Sequence, residues 1–204
     1  FHQQHYVETI YSSGMLLLDI INDILDYTKI ESGKLEIEQV SFNLMQVVDD
    51  CAEMFSARYQ DKNLKLYIDY DPTIPPKIKS DPLRIRQILL NLLSNAYKFT
   101  EHGKVTLRVD ALSDGMIRIA VVDTGIGLSE DQQRKLFDSF SQADNSTTRK
   151  YGGTGLGLAI THQIVNLHRG SLTHFYKNGE TVFVVKLPVD GAGKDAVFNR
   201  RRGA

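Results

Sequence analysis

Residues 104–127, KVTLRVDALSDGMIRIAVVDTGIG, hold the part of the chain that decides its fold. Two runs of alternating apolar residues, 104–112 and 116–122, flank Ser113-Asp114-Gly115, and a turn triplet between such runs reads as a β-hairpin. Downstream, 171–176 and 181–187 pair around Asn178-Gly179, a second hairpin signal, and Pro188 ends that strand. Upstream, 64–70 alternates as a strand. So does 34–42, through Leu35 and Ile37 and then, offset by one, Val40 and Phe42. Helical periodicity fills the gaps. One helix covers 44–59, with Ser41 or Asn43 as its cap. Another follows Asp81 as cap and Pro82 in the first turn and runs to Phe99; two more cover 130–137 and 156–167. Asp71-Pro72 and Pro75-Pro76 break the chain between strand and helix. Strands outnumber one-helix crossovers and two hairpins occur. The expected class is therefore α+β, a two-layer sandwich of a mixed or antiparallel sheet with helices on one face.

The first segment, 6–30, reads as a long helix closed by Glu31-Ser32-Gly33. Val7, Gly14, Ile21 and Thr28 fall seven apart, with Ile10, Leu17 and Ile24 three after the first three, which makes a heptad seam weakened at Gly14 and Thr28. Leu18 and Leu25 widen the stripe, so a helical bundle fits better than a two-stranded seam. The competing reading is that the stripe packs on its own domain. The organisation expected is a bundle helix over 1–32, a domain over 33–190, and a tail or linker over 191–204.

Hydrophobic residues make up 42%, enough for a packed core. A net charge of −1 gives no electrostatic case for nucleic acid or an anionic membrane surface. The one cysteine, Cys51, sits among Val47, Val48, Met54 and Phe55 and reads as a small core residue. Cytosolic chemistry follows as the natural setting. No apolar run approaches the ~18 residues that span a bilayer. The chain opens on Phe1-His2-Gln3 within helical text, so it reads as a piece of a longer protein.

Three clusters carry chemistry. On the helix after Asp81, Leu89, Leu92, Leu93 and Ala96 share one face while Asn91, Asn95 and Lys98 share the opposite one. An amide oxygen suits Mg²⁺, and a lysine one turn on adds positive charge against a polyphosphate. Taken alone, the trio is better explained as a solvated helix face. Next, the apolar strand ends in Asp123-Thr124-Gly125-Ile126-Gly127. A carboxylate past a buried strand can accept a hydrogen bond from a base amine such as that of adenine. Glycines two apart let the backbone approach a flat ligand. A tight turn with Asp as turn former explains the same text equally well. Third, Gly152-Gly153-Thr154-Gly155-Leu156-Gly157-Leu158 opens a helix, where free backbone N–H groups favour phosphate. It is neither a Walker A loop nor a dinucleotide fingerprint, and a hinge does not explain four glycines in six residues at a helix start.

Their order is more specific than any one of them. It resembles the catalytic and ATP-binding domain of sensor histidine kinases, in the wider superfamily of gyrase-, Hsp90- and MutL-type ATPases. NLLSNAYKFT (91–100) resembles the N box, DTGIG (123–127) the G1 box, FDSF (137–140) the F box and GTGLGL (153–158) the G2 box. NDILDYTKIESGKL (22–35) resembles hybrid sensor kinases of the Ret/Gac group, which carry receiver domains downstream. The likeness runs from 16 to 187. It implies that Asn95 ligates Mg²⁺, Lys98 contacts phosphate, and Phe99 lines the pocket beside Asn91. Asp123 takes the adenine amine above Gly125 and Gly127. Gly153, Thr154, Gly155, Leu156 and Gly157 hold the phosphates. Phe137 and Phe140 anchor a lid, 141–154, from which Arg149 and Lys150 either reach the γ-phosphate or merely keep the loop soluble.

It also implies a partner. The family's phosphoacceptor histidine precedes Glu or Asp on a helix hairpin, whereas the six histidines here precede Gln3, Tyr6, Gly103, Gln163, Arg169 and Phe175. The N-terminal helix resembles the second helix of that hairpin, so the acceptor is expected upstream of Phe1 and the chain is not expected to autophosphorylate alone. Asn91 stands where related ATPases place a Glu that activates water, and an amide is a poor base, so fast hydrolysis is not expected. The leading expectation is a histidine kinase module that uses ATP and Mg²⁺, in a dimer served by a receiver domain or response regulator. It would be cytoplasmic, with its parent in the bacterial inner membrane. The alternatives are a non-catalytic module acting through helix contacts, and a gyrase- or chaperone-type ATPase.

Overall fold

The computed structural model describes residues 2–134, 136–137 and 155–188. Helices are α1 (His2–Glu31), α2 (Leu44–Asp61), α3 (Pro82–Phe99), α4 (Glu130–Arg134) and α5 (Gly157–Leu167). Strands are β1 (Val40–Phe42), β2 (Lys65–Tyr70), β3 (Ile78–Ser80), β4 (Lys104–Ala111), β5 (Met116–Asp123), β6 (Ser171–Lys177) and β7 (Glu180–Pro188). Five strands form one sheet in the order β2-β4-β5-β7-β6, and β1 pairs with β3 in a separate two-stranded ribbon. The β2–β4 pair is parallel and the other three pairs in the large sheet are antiparallel, so the sheet is mixed.

One face of this sheet is the core. Val105, Leu107 and Val109 of β4, Ile117, Ile119 and Val121 of β5, and Val185 and Leu187 of β7 are all buried. Leu44, Val48 and Phe55 of α2, Ile85, Leu89 and Leu93 of α3, and Ile160 and Ile164 of α5 join them in one cluster. Fully burying each such side chain contributes about 1.5–3 kcal/mol. The other face is wetter and carries ion pairs, Arg108 to Asp69 at 2.9 Å and Arg118 to Asp110 at 2.8 Å. Cys51 is buried as expected, and burial pushes its thiol up to about 11.

Caps set the helix starts. Asn43, not Ser41, caps α2, accepting from the Gln46 N–H at 3.4 Å. Asp81 is buried and caps α3 by accepting from the Arg84 N–H at 3.0 Å. At the far end, the Thr100 N–H closes α3 onto Ala96 O at 3.1 Å, and its extended backbone turns the chain toward β4. Ser129 and Gln132 bond each other's backbone N–H reciprocally ahead of α4, a capping box.

Two expectations need correction. The strand expected over 34–42 is real only at Val40–Phe42, because only those residues face a partner, β3. Leu35 is buried, yet the Glu38 N–H donates to Asp81 Oδ2 at 3.1 Å, so that stretch is tied to a cap instead of a ladder. The short β3 between the prolines and Asp81 is absent from the sequence reading. The helix expected over 130–137 stops at Arg134, with Leu136 and Phe137 in a turn.

The α1 seam is bare over most of its length: Ile10 is 71% exposed, Leu17 57% and Ile24 45%. Among the described contacts, its last turns engage the domain. Tyr27 and Ile30 pack on the core, and Asp26 accepts from Arg84 Nη1 at 2.9 Å and Gln87 Nε2 at 2.8 Å on α3. Among the described residues, the stripe is exposed beyond that end.

Candidate nucleotide-binding site

Asp123 is the last residue of β5, directly opposite Thr181 on β7 and Val105 on β4. Asp123 is 5% exposed. It accepts from the Gly125 N–H at 2.9 Å and from the Thr100 hydroxyl at 3.4 Å, and the Thr181 side chain also bonds it. Burial raises its pKa above the ordinary carboxylate value, and the Gly125, Thr100 and Thr181 bonds only partly oppose this. A buried acid in that state gains from one more donor, which is what an exocyclic base amine supplies.

The turn after Asp123 is fixed by contact. A Cβ on Gly125 would press into the Phe99 carbonyl oxygen and come within 2.7 Å of Asp123 Oδ1. The Ile126 N–H donates to that same Phe99 oxygen at 3.2 Å, tying the turn to the end of α3. Gly127 has φ +74°, and a Cβ there would lie 2.9 Å from the Tyr176 ring. Chain, carboxylate and helix end leave room at this corner for glycine alone.

Asn91, Asn95 and Lys98 are half-buried on the α3 flank away from Leu89, Leu92, Leu93 and Ala96, as the periodicity predicts. Lys98 Nζ lies 5.0 Å from the Phe99 ring centre, and burial pulls its ammonium below the usual lysine range. Asn91 reaches α5. Its Nδ2 donates to Thr161 Oγ1 at 2.6 Å, and its Oδ1 stands 2.5 Å from where a Gly157 Cβ would sit. Gly155 has φ +70°, a backbone that side chains rarely adopt. Leu156, at the cap position of α5, is buried and its own side chain supplies no cap bond. An anion fits such a helix start.

The structure thus brings Asn91, Asn95, Lys98, Phe99, Asp123, Gly125, Gly127, Gly155, Leu156 and Gly157 around the seam between α3, the β5 turn and α5. Gly153, Thr154, Phe140, Arg149 and Lys150, with the lid over 141–154 and the tail over 191–204, lie outside the described residues. Phe137 is described. It stacks on His162 with centres 5.0 Å apart and meets His174 edge-on at 5.5 Å, so the root of the expected lid is held against α5 and β6. A hollow on the open sheet face, lined by Lys104, Arg118, Phe175 and Val182 among others, shares no residue with this seam.

Several contributors escaped the sequence reading. Thr100 and Thr181 brace Asp123, and Thr161 holds Asn91. Thr161 follows Gly157 by four on a helix, a spacing that was legible. Thr181 needed the β5–β7 register, which no local pattern gives. Among the described residues no group of three or more His, Cys, Asp or Glu could hold a metal ion. A magnesium ion would therefore lean on amide oxygens and substrate phosphates. The donors present on α3 fit that mode of binding.

A family model described as histidine kinase-, DNA gyrase B-, and HSP90-like ATPase matches residues 80–191. The chain is 43% identical over 174 residues to hybrid signal transduction histidine kinase B of Dictyostelium discoideum, covering 83% of this chain and 9% of that protein. It is 41% identical over 198 residues to the sensor protein GacS of Pseudomonas syringae pv. syringae, covering 95% of this chain and 22% of that one. The chain therefore spans about a fifth or less of the length of these relatives. Among solved structures it resembles full-length ShkA in complex with AMPPNP, with a TM-score of 0.80 and 31% identity over 95% of this chain and 40% of that one. No helix among the described residues is long and apolar enough to cross a membrane. The mixed five-stranded sheet, the seam built on α3 and α5 and the matched span all agree: the chain belongs to the histidine kinase-, DNA gyrase B- and HSP90-like ATPase family.

Proposed function

We propose that this domain binds Mg²⁺·ATP at the α3–α5 seam and passes the γ-phosphoryl to a histidine outside this chain, on a helix hairpin of the same or a partner kinase. The observation that carries the reading is Asp123, a buried carboxylate with raised pKa beside a turn that only glycine fits. Asp123 accepts the adenine amine, and Gly125 and Gly127 let the base lie against the turn beside Phe99. Asn95 and Asn91 offer amide oxygens toward the metal, which when bound neutralises the phosphate oxygens. Lys98 adds charge, and the stretch Gly153, Thr154, Gly155, Leu156 and Gly157 holds the phosphates at the start of α5. Phe137 and Phe140 anchor the lid that carries Arg149 and Lys150.

ShkA, solved with AMPPNP, supports nucleotide as the ligand class. On this reading, 1–32 is the second helix of the hairpin, 33–190 the nucleotide domain and 191–204 a linker. The partner is a dimer mate, with a receiver domain or response regulator downstream. The module is cytoplasmic and its parent lies in the bacterial inner membrane, an assignment that rests on the resemblance to sensor kinases. Titration calorimetry tests the core of this. ADP binds with micromolar affinity, and Asp123→Asn removes one charge-assisted bond worth about 1.5–3 kcal/mol. Undiminished binding by that variant removes the reading.

The exposed seam of α1 favours a second reading, a module that acts through helix contacts without turnover. Radiolabelled ATP given to a longer chain that carries an upstream His-Glu or His-Asp pair separates the two. Phosphohistidine supports the kinase, and its absence supports the second reading.

A further inference from the structure

Asn91 is gripped at two points by one turn of α5. Gly157 and Thr161 stand four residues apart, hence on one helix face. The amide's nitrogen arm donates to Thr161 Oγ1 at 2.6 Å, and its oxygen arm lies over Gly157. Thr161 is 1% exposed and Leu156, just before Gly157, is also buried, so water does not compete freely for this bond. A primary amide is nearly symmetric in shape but not in chemistry: one arm only donates and the other only accepts. A threonine hydroxyl can donate or accept, so the arm that faces the phosphate end of the seam is selected by the positive end of α5, which favours the oxygen beside Gly157, and Thr161 then holds the nitrogen arm as its acceptor.

We propose that Thr161 is a positioning residue for nucleotide binding. It holds the nitrogen arm of Asn91 away from the seam, so that the amide presents its oxygen to the metal side of the ligand. The inference rests on the nucleotide reading above. An amide turned the other way would bring a donor to the place where a cation or its water shell needs an acceptor. Thr161 touches no ligand in this scheme; it acts through Asn91. A purely structural role would weaken every ligand alike, whereas this role weakens only what depends on the metal.

The test compares Thr161→Val, which keeps the shape and removes the hydroxyl, with Thr161→Ser, which keeps the hydroxyl. Each variant is titrated with ATP plus magnesium and with ADP in chelator, and its thermal unfolding is followed. Outer-shell partners of metal ligands typically contribute 10–100-fold, so T161V is expected to weaken magnesium-supported ATP binding about tenfold. Its metal-free ADP binding should change far less, and T161S should restore most of the magnesium-supported gain. The side-chain amide signals of Asn91, read by NMR without nucleotide, should shift in T161V and not in T161S. Equal losses for both ligands, a T161V variant that binds like the parent, or a T161S variant as weak as T161V would each overturn the proposal. Absence of nucleotide binding by the unsubstituted chain would instead remove the underlying reading and this inference with it.

Discussion

The two ends of the seam are built differently. At the Asp123 end every holding group comes from the rigid frame: Gly125 N–H, the Thr100 hydroxyl at the close of α3, and Thr181 across the β5–β7 ladder. At the other end, half-buried side chains of α3 face the start of α5, where Leu156 supplies no side-chain cap. Under the proposed function, base recognition would be set before a ligand arrives, while phosphate recognition would draw on a metal and on side chains of α3. Each end should therefore fail in its own way.

The largest effect should come from filling the corner that has no space. Gly125→Ala forces the Phe99 carbonyl or the Asp123 carboxylate to move, and overpacking of this kind costs about 1–3 kcal/mol. Thermal unfolding should show that loss, and calorimetry should show ADP binding gone. If the variant binds normally, the frame at this end is softer than described here. Asn95→Ala should act at the other end, weakening ATP with magnesium by about 1 kcal/mol or more while leaving metal-free ADP binding close to the parent. Equal losses for both ligands would erase the distinction between the ends.

A pH series sharpens the contrast further. Burial raises the pKa of Asp123 above 3.8, so its ionisation costs the free fold stability. That part of the stability is fully present below the unfolded value and is lost as pH rises through the folded one. A base amine favours the ionised carboxylate. ADP affinity should therefore fall as pH drops through the raised pKa, and Asp123→Asn should flatten that limb. The smallest effect belongs to a residue that neither end uses. Ile24→Ala, on the bare seam of α1, should change the unfolding free energy of this chain by no more than about 0.5 kcal/mol. A larger loss would show that α1 is already partnered in solution.

Much of this was readable without coordinates because it is periodic or local. The 3.6-residue stripe of α3 separates Leu89 and Leu93 from Asn91 and Asn95, and both faces sit as the spacing requires. Asp81-Pro82 marks the helix start, and Asn178-Gly179, each with positive φ, marks the last hairpin. What stayed hidden depends on pairing. The β1–β3 ribbon exists only because two short segments meet across the 35 residues between Phe42 and Ile78, and neither has a long alternating run. The Thr181 brace on Asp123 depends on inter-strand register. The Asn91–Thr161 bond depends on how two helices cross. The α1 stripe gave a face but no partner, because periodicity says that a surface wants covering and not what covers it.

On the proposed reading, the carboxylate at the end of β5 selects the base while the start of α5 takes the phosphates. The decisive experiment is a crystal structure of this chain soaked with magnesium and a non-hydrolysable ATP analogue. The 6-amino group should lie within hydrogen-bonding distance of Asp123, with the phosphates running toward Asn95 and Gly157. A nucleotide seated elsewhere, or an adenine whose amine points away from Asp123, would contradict it.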